Sequence, residues 1–224
     1  MKYEETLRKP RFHRFAIYFS FLLNACRVVL HARIKINKAY ILHDGGKDDQ
    51  AMKEADEAEM MLSLGECHED MAEVYNAKAN IILSLGKNSK EDRERILHYL
   101  NKCIQFCEKA TVDKSVTVVQ AKIRKALLHL GYFQHDILEE EPSSLDVSIA
   151  ENIFNGIAKQ FEPIAERSKV YLMYGQSLLA YRQGDISMAR ELESEVRKKC
   201  ERHLLGFEIQ QLDNLKALVQ RKAK

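Results

Sequence analysis

The spacing of small residues between Ala39 and Ala58 places the strongest constraint on the fold. Gly46 follows Ala39 by seven residues, Ala51 comes five residues later, and Ala58 comes seven residues after that, with Ala55 between them. Two helices cross closely only where small side chains lie at the crossing, and the turn between them needs a residue that tolerates left-handed dihedral angles. This segment therefore predicts a hairpin of two antiparallel helices.

The same pattern recurs along the chain. Ser177 precedes Gly184 by seven residues and Ala189 follows it by five, while Ala79 precedes Gly86 by seven. With Gly46 and Gly131, these glycines mark four predicted corners, and such repetition is typical of a solenoid. The sequence thus predicts hairpins at about residues 27–64, 69–110, 113–161 and 164–205, followed by a capping helix at 207–222.

Composition favours an all-α fold of about nine or ten helices in a single domain, residues 1–224. The 224 residues contain only three prolines and nine glycines, and no segment shows the alternation of a strand. Ser89 with Asp92, and Ser143 with Asp146, have the spacing of helix N-terminal caps. Before the first hairpin we predict a break at Lys9-Pro10 and a separate apolar helix as far as about residue 26.

Residues 3–10 resemble the tail of a second helix, so we hypothesise that the chain starts partway through a longer array. Two further glycines, Gly156 and Gly175, fall inside predicted helices rather than at corners. A glycine in mid-helix costs about 1 kcal/mol relative to alanine. Gly175 therefore predicts that another backbone passes too close for a side chain.

Charge is segregated although the net charge is only +2. Residues 1–43 carry nine Lys/Arg against two acids, residues 44–74 carry two against eleven, and residues 197–224 carry eight against three. The pattern is typical of solvated helix faces, and the alternative is a field that steers a charged partner.

The five cysteines form no paired framework, which indicates reduced thiols, either buried or inert, in a cytoplasmic protein. The longest uncharged run, residues 15–26, is too short to span a bilayer, so we predict no membrane segment.

No motif of a known reaction is present in the sequence. It lacks a glycine-rich phosphate loop, a nucleophile elbow and a metalloprotease helix. The cluster Cys67-His68-Glu69-Asp70 is too crowded for a zinc site, and Cys103 with Cys107 offers two thiols one helical turn apart. We therefore expect a protein that is not an enzyme and holds no metal and no cofactor.

The pattern Ala39/Gly46/Ala51/Ala58, and in part Ser177/Gly184/Ala189, resembles the tetratricopeptide repeat. The resemblance covers residues 27–205 and implies a right-handed superhelical stack of antiparallel hairpins. The corner glycines lie 40, 45 and 53 residues apart, more than the roughly 34 residues of that repeat, so longer helices and inserted loops are expected. Arg124 stands where the third unit should have a small residue. A HEAT-like stack is the alternative architecture.

The resemblance also implies a concave groove, lined by the first helices, that binds a protein or peptide. It places Tyr40, Asn76, Asn80, Tyr174 and Tyr181 on that groove. Asn76 and Asn80 lie four residues apart on one helix face, and two exposed amides there could hydrogen-bond to a peptide backbone. The lysine-rich clamp of chaperone-tail binders has no match here.

Nucleic acid is the alternative partner. Proteins of the interferon-induced tetratricopeptide family, which resemble this pattern, hold RNA in a basic groove. The basic side chains that would serve here are Arg33, Lys35, Lys122, Arg124, Lys125 and Arg182, with Tyr174 or Tyr181 stacking on a base. The acidic block at residues 44–73 opposes this interpretation.

Overall fold

Helices dominate the computed structural model, which describes residues 9–85, 89–133, 136–138, 140–160, 165–203 and 206–222. These ranges contain nine helices, which confirms the predicted class and number. They are α1 (Lys9–Asp44), α2 (Asp48–Leu62), α3 (His68–Ser84), α4 (Lys90–Lys109), α5 (Ser115–His129), α6 (Ser144–Gln160), α7 (Glu166–Gln183), α8 (Ile186–Arg202) and α9 (Gly206–Lys222).

Each helix packs against the next one along the chain. The pairs α1/α2, α3/α4, α5/α6 and α7/α8 lie at residues 9–62, 68–109, 115–160 and 166–202, whereas the predicted hairpins began at about residues 27, 69, 113 and 164. α9 packs on α8 and α7. Gly46, Gly131 and Gly184 have φ angles of 69°, 79° and 84°, so the prediction of left-handed corners is confirmed at these three glycines. The fourth, Gly86, lies outside the described residues.

Small side chains lie at the crossing of α1 and α2, as predicted. Ala39, Ala51 and Ala55 are fully buried, and Cys103 takes a comparable buried position on α4. Two large hydrophobic clusters follow from this packing. One cluster contains side chains from the successive helices α1 through α5, and the other contains side chains from α5 through α9. α5 therefore contributes to both clusters.

The start of the first hairpin differs from the prediction. α1 runs without interruption from Lys9 to Asp44, so no separate helix ends near residue 26. The physical reason is that no proline or glycine occurs between residues 11 and 44, and nothing else stops a helix there. The side chains of residues 9–22 lie outside the description.

Two predicted helix caps are confirmed. The Ser89 hydroxyl accepts a hydrogen bond from the Asp92 backbone N–H at 3.0 Å, and the Ser143 hydroxyl accepts one from Asp146 at 3.1 Å. Each cap satisfies a backbone donor that has no partner within its own helix.

A short ladder between α5 and α6 was not predicted. β1 (Tyr132–Phe133) pairs in antiparallel fashion with β2 (Asp136–Ile137). The side chains of Phe133 and Ile137 are buried and anchor this hairpin to the two clusters. With two residues in each strand, the ladder is too short to produce a visible alternation.

Within the described ranges, none of the helices is both long enough and apolar enough to cross a bilayer.

Candidate functional site

A cavity of about 560 Å³ opens between α1, α3, α5 and α7, each of which is the first helix of its pair. Its wall is mixed. Leu83, Ile123 and Leu127 supply apolar surface, while polar atoms come from all four helices. A cavity of this size, with apolar walls and a few converging polar groups, is typical of a ligand site.

Arg124 of α5 brings a positive charge to the cavity wall. It is partly buried and lines the cavity, and burial lowers the pKa of its guanidinium. Among the described residues it forms no ion pair, and its one hydrogen bond runs from Nη1 to Oδ1 of Asn76 at 2.7 Å. Glu73, an acid that acts on it electrostatically, instead pairs with Lys114 at 3.0 Å. The cavity thus contains a desolvated cation held by a neutral amide.

Asn76 of α3 holds this cation in place. Its side chain is buried, its Oδ1 accepts from Arg124, and its Nδ2 donates to the Tyr40 hydroxyl at 3.2 Å. The Tyr40 hydroxyl donates in turn to the Glu73 carbonyl at 3.5 Å. The hydrogen-bonded chain Arg124–Asn76–Tyr40 therefore connects α5, α3 and α1, with Arg124 and Tyr40 on the cavity wall and Asn76 behind it. Burial, with a contribution from the Glu73 charge, raises the pKa of Tyr40 to about 12, so its hydroxyl stays protonated.

A hydroxyl that α7 contributes to the cavity has no hydrogen-bond partner among the described residues. Ser168 of α7 lines the cavity and is 3% exposed, and its Oγ makes no hydrogen bond to any described residue. A buried polar group without a partner costs free energy, which a ligand atom would recover. Together with Arg124 it gives the cavity two polar groups with spare hydrogen-bonding capacity.

The residues predicted from the sequence separate into two groups. Tyr40 and Asn80 line the cavity, whereas Asn76, Tyr174 and Tyr181 do not. Asn76 lies behind the wall. The sequence predicted an exposed amide at this position, but the side chain is buried.

Tyr174 and Tyr181 are buried because other elements cover α7. The ring of Tyr174 packs edge-on against Tyr132 at a centroid distance of 5.5 Å. The Nζ atom of Lys222, from α9, lies 5.0 Å from the centre of the Tyr181 ring.

Sequence reasoning did not assign Arg124, Ser168 and Tyr171 to a peptide-binding groove, although all three line the cavity. For Arg124 a signal was present, since a large cation occupied a position where the repeat resemblance implies a small residue. No comparable signal marks Ser168 or Tyr171, because their positions depend on how α7 packs against α5.

Most of the basic residues considered for RNA have protein partners. Arg33 forms two hydrogen bonds with the Asp70 carboxylate at 2.7 and 3.1 Å, and Lys35 pairs with Glu54 and Glu57. Arg182 donates to two backbone carbonyl groups, and Lys125 donates to Asn101. Of the six basic side chains, only Arg124 lines the cavity.

All five cysteines are free thiols in this structure. Cys103, Cys107 and Cys200 are buried, Cys67 is half-buried and Cys26 is exposed, so the alternative of an inert thiol stays a prediction for Cys26. In the part of the chain that the structure describes, no three His, Cys, Asp or Glu side chains converge in a group that could hold a metal ion.

No family model, no curated protein and no solved structure matches the chain.

Proposed function

We propose that the protein is a non-catalytic interaction module that binds a peptide or protein segment in the cavity between α1, α3, α5 and α7. The proposal includes tetratricopeptide-like stacking of the helix pairs and a cytoplasmic location. The observation that carries it is Arg124, a desolvated cation on the cavity wall with a neutral amide as its one described partner. An uncompensated guanidinium in such a place favours an anionic ligand.

A peptide carboxylate fits this wall. Arginine binds carboxylates through two parallel N–H donors, and the one described hydrogen bond of Arg124 uses a donor on Nη1 alone. Apolar side chains of the peptide would contact Leu83 and Leu127, and its backbone could bond to Asn80. The carboxylate would come from an acidic side chain or from the C-terminus of the peptide.

RNA is the weaker candidate because, among the described residues, two arginines, Arg124 and Arg167, are the Lys and Arg side chains that line the cavity. Recognition of a phosphate backbone depends on several cations, whereas the carboxylates of Asp70, Glu54 and Glu57 already compensate Arg33 and Lys35. Asp44 adds negative charge at the cavity rim.

The test begins with selection of binding sequences from a displayed peptide library on the intact protein. The best peptide is then titrated, by fluorescence anisotropy, against the parent protein and Arg124→Met, which removes the charge at similar length. We expect binding to weaken at least tenfold, about 1.4 kcal/mol, because the buried ion pair is lost. Arg190→Met serves as the matched control, since Arg190 is exposed on α8, away from the cavity.

Three further arms separate the alternatives. An amidated copy of the peptide tests the C-terminal carboxylate, and copies with Asp→Asn or Glu→Gln test the side chains. A single-stranded RNA titrated at low and moderate salt tests the nucleic-acid alternative. Equal affinity of the parent and Arg124→Met for every selected peptide would contradict the proposal, and so would tighter binding of RNA than of any peptide.

A further inference from the structure

The outward face of α1 carries an apolar stripe that no described residue covers. Leu23, Leu30, Ile34 and Ile41 are 56%, 58%, 55% and 72% exposed. At 100° per residue their side chains lie within about 20° of one line, and the stripe is about 27 Å long. On the opposite side of the same helix, Ala32, Ile36 and Ala39 are buried against the rest of the protein. Such an apolar line on a surface helix marks an interaction site.

The stripe has the spacing of a coiled-coil seam. The intervals of seven, four and seven residues place Leu23 and Leu30 at d positions, and Ile34 and Ile41 at a positions, of one heptad repeat. Arg27 and Asn37 occupy the two remaining seam positions and are exposed. A seam of this kind fits one helix of a partner rather than a flat surface.

The stripe is also symmetric about Ala32. An antiparallel copy of α1, related by a two-fold axis at Ala32, would place Leu23 against Ile41 and Leu30 against Ile34. The same operation places the two polar seam residues, Arg27 and Asn37, against each other. This agreement matters because a two-fold interface must be self-complementary, so that residue i meets j and j meets i.

The charges beside the stripe allow such a pairing. Arg33 pairs with Asp70 and Lys38 pairs with Glu54, each within its own protomer. The two copies of Arg27 would lie about 15 Å apart along the helix axis, beyond the screening length of about 8–10 Å. A buried polar pair such as Arg27–Asn37 favours a single register and orientation.

We propose that the protein forms a two-fold dimer in which the α1 helices of two copies pair in antiparallel orientation along Leu23, Leu30, Ile34 and Ile41. Two helices of this length bury on the order of 1,000 Å² in total, near the lower limit for specific interfaces. The dimer is therefore expected to be weak, with a dissociation constant of roughly 1–100 µM.

The oligomeric state provides the first test. Sedimentation equilibrium of the intact protein, from about 1 µM to about 500 µM, brackets the expected affinity. We expect a monomer–dimer transition in the parent protein. Leu30→Glu and Ile41→Glu should each weaken it at least tenfold, because a carboxylate would enter the seam. Val28→Glu is the matched control, since Val28 is 41% exposed on the same helix but lies about 140° from the stripe.

Cysteine cross-linking tests the orientation. In a Cys26→Ser background, a mixture of Leu23→Cys and Ile41→Cys proteins should form a disulfide between the two variants. Neither variant alone should do so, because the antiparallel pairing separates identical positions along the helices. Cross-linking of each variant with itself would indicate a parallel pair and contradict the proposal.

Two other outcomes would overturn the dimer. A monomer at the highest concentration would mean that a different protein covers the stripe. Equal weakening by Val28→Glu and Leu30→Glu would place the interface elsewhere on α1. The thermal midpoint of each variant, measured in parallel, shows whether the fold is intact, which we expect because all substituted side chains are exposed.

Discussion

The ring of Phe154 on α6 occupies the space that a side chain at Gly175 on α7 would need. A Cβ atom built at Gly175 would lie 2.9 Å from Cε1 of Phe154 and closer still to Cζ. Phe154 is 1% exposed and packs in the cluster that joins α5 to α9, so its ring has little room to move. Gly175 therefore permits α6 and α7 to approach each other.

This contact predicts opposite effects of the same substitution at two glycines. Gly175→Ala should lower the free energy of unfolding by about 1–3 kcal/mol, because the added methyl group displaces the Phe154 ring. Gly156→Ala should raise it by about 0.5–1 kcal/mol, since nothing lies within 4 Å of a Cβ there and alanine favours the helix. Urea unfolding of both variants measures the difference, and equal stability of Gly175→Ala and the parent would contradict the close packing.

The sequence predicted that another backbone passes close to Gly175, and the structure corrects this prediction. The group that approaches Gly175 is the side chain of Phe154, not a backbone. Helix caps such as Ser89 and corner glycines such as Gly184 were predictable from the sequence. Each depends on residues within one helical turn of it, so a short stretch of sequence is enough to identify it. The unbroken helix α1 was also predictable, because no proline or glycine occurs between residues 11 and 44.

The candidate site was harder to predict because it depends on distant packing. Tyr40 and Asn80 line the cavity, but α9 covers Tyr181. The role of Asn76 follows from Arg124, which is 48 residues away along the chain. No pattern within a single helix encodes that contact.

Arg182 is predicted to hold the short β-ladder against α7. Its Nη2 donates to the Leu138 carbonyl at 2.7 Å and its Nε donates to the Leu130 carbonyl at 3.2 Å. Arg182→Ala should reduce stability by about 2 kcal/mol, because two carbonyl groups lose a charged donor. Arg182→Lys should recover little of this, since one ammonium group does not reproduce the two-sided guanidinium. Chemical unfolding measures the free energy of unfolding of these variants, with Arg190→Ala as the control. An Arg182→Lys variant as stable as the parent would contradict the expectation.

Glu69 is predicted to make stability depend on pH. Hydrogen bonds from its own backbone N–H and from Thr111 lower the pKa of its carboxyl from 4.5 to about 2. The Thr111 N–H and hydroxyl donate to Oε1 at 2.9 and 2.8 Å. Because the pKa is depressed in the folded state, this contribution is present above pH 4.5 and is lost as the pH falls through about 2.

Comparison of Glu69→Gln with the parent isolates that contribution. At pH 6 the variant should be less stable, by about 1 kcal/mol for a partly exposed carboxylate. The difference should shrink steadily as the pH is lowered from 5 towards 2, which urea unfolding at several pH values measures. Glu66→Gln, at an exposed neighbouring position, serves as the control for the loss of one surface carboxylate. A difference that stays constant with pH would exclude the Glu69–Thr111 contact as its source.

Asn76 and Asn80 are predicted to differ although they lie one turn apart. Asn76→Ala should lower the free energy of unfolding by about 2–3 kcal/mol, because Arg124 would lose its one described hydrogen-bond acceptor in a desolvated position. Asn80→Ala should stay within about 0.5 kcal/mol of the parent, since Asn80 is partly exposed on the cavity wall. Asn80→Ala should instead weaken peptide binding, which calorimetry with a selected peptide measures.

A third variant, Asn76→Asp, separates the positioning of Arg124 from its charge. The new carboxylate would accept the same hydrogen bond from Nη1 and form an ion pair, so the fold should remain stable. The same ion pair would compensate the guanidinium, and binding of an acidic peptide should fall at least tenfold. If Asn76→Asp is as stable as the parent yet binds the acidic peptide equally well, the charge of Arg124 is not what the ligand recognises, and the cavity binds through its amides and apolar wall instead.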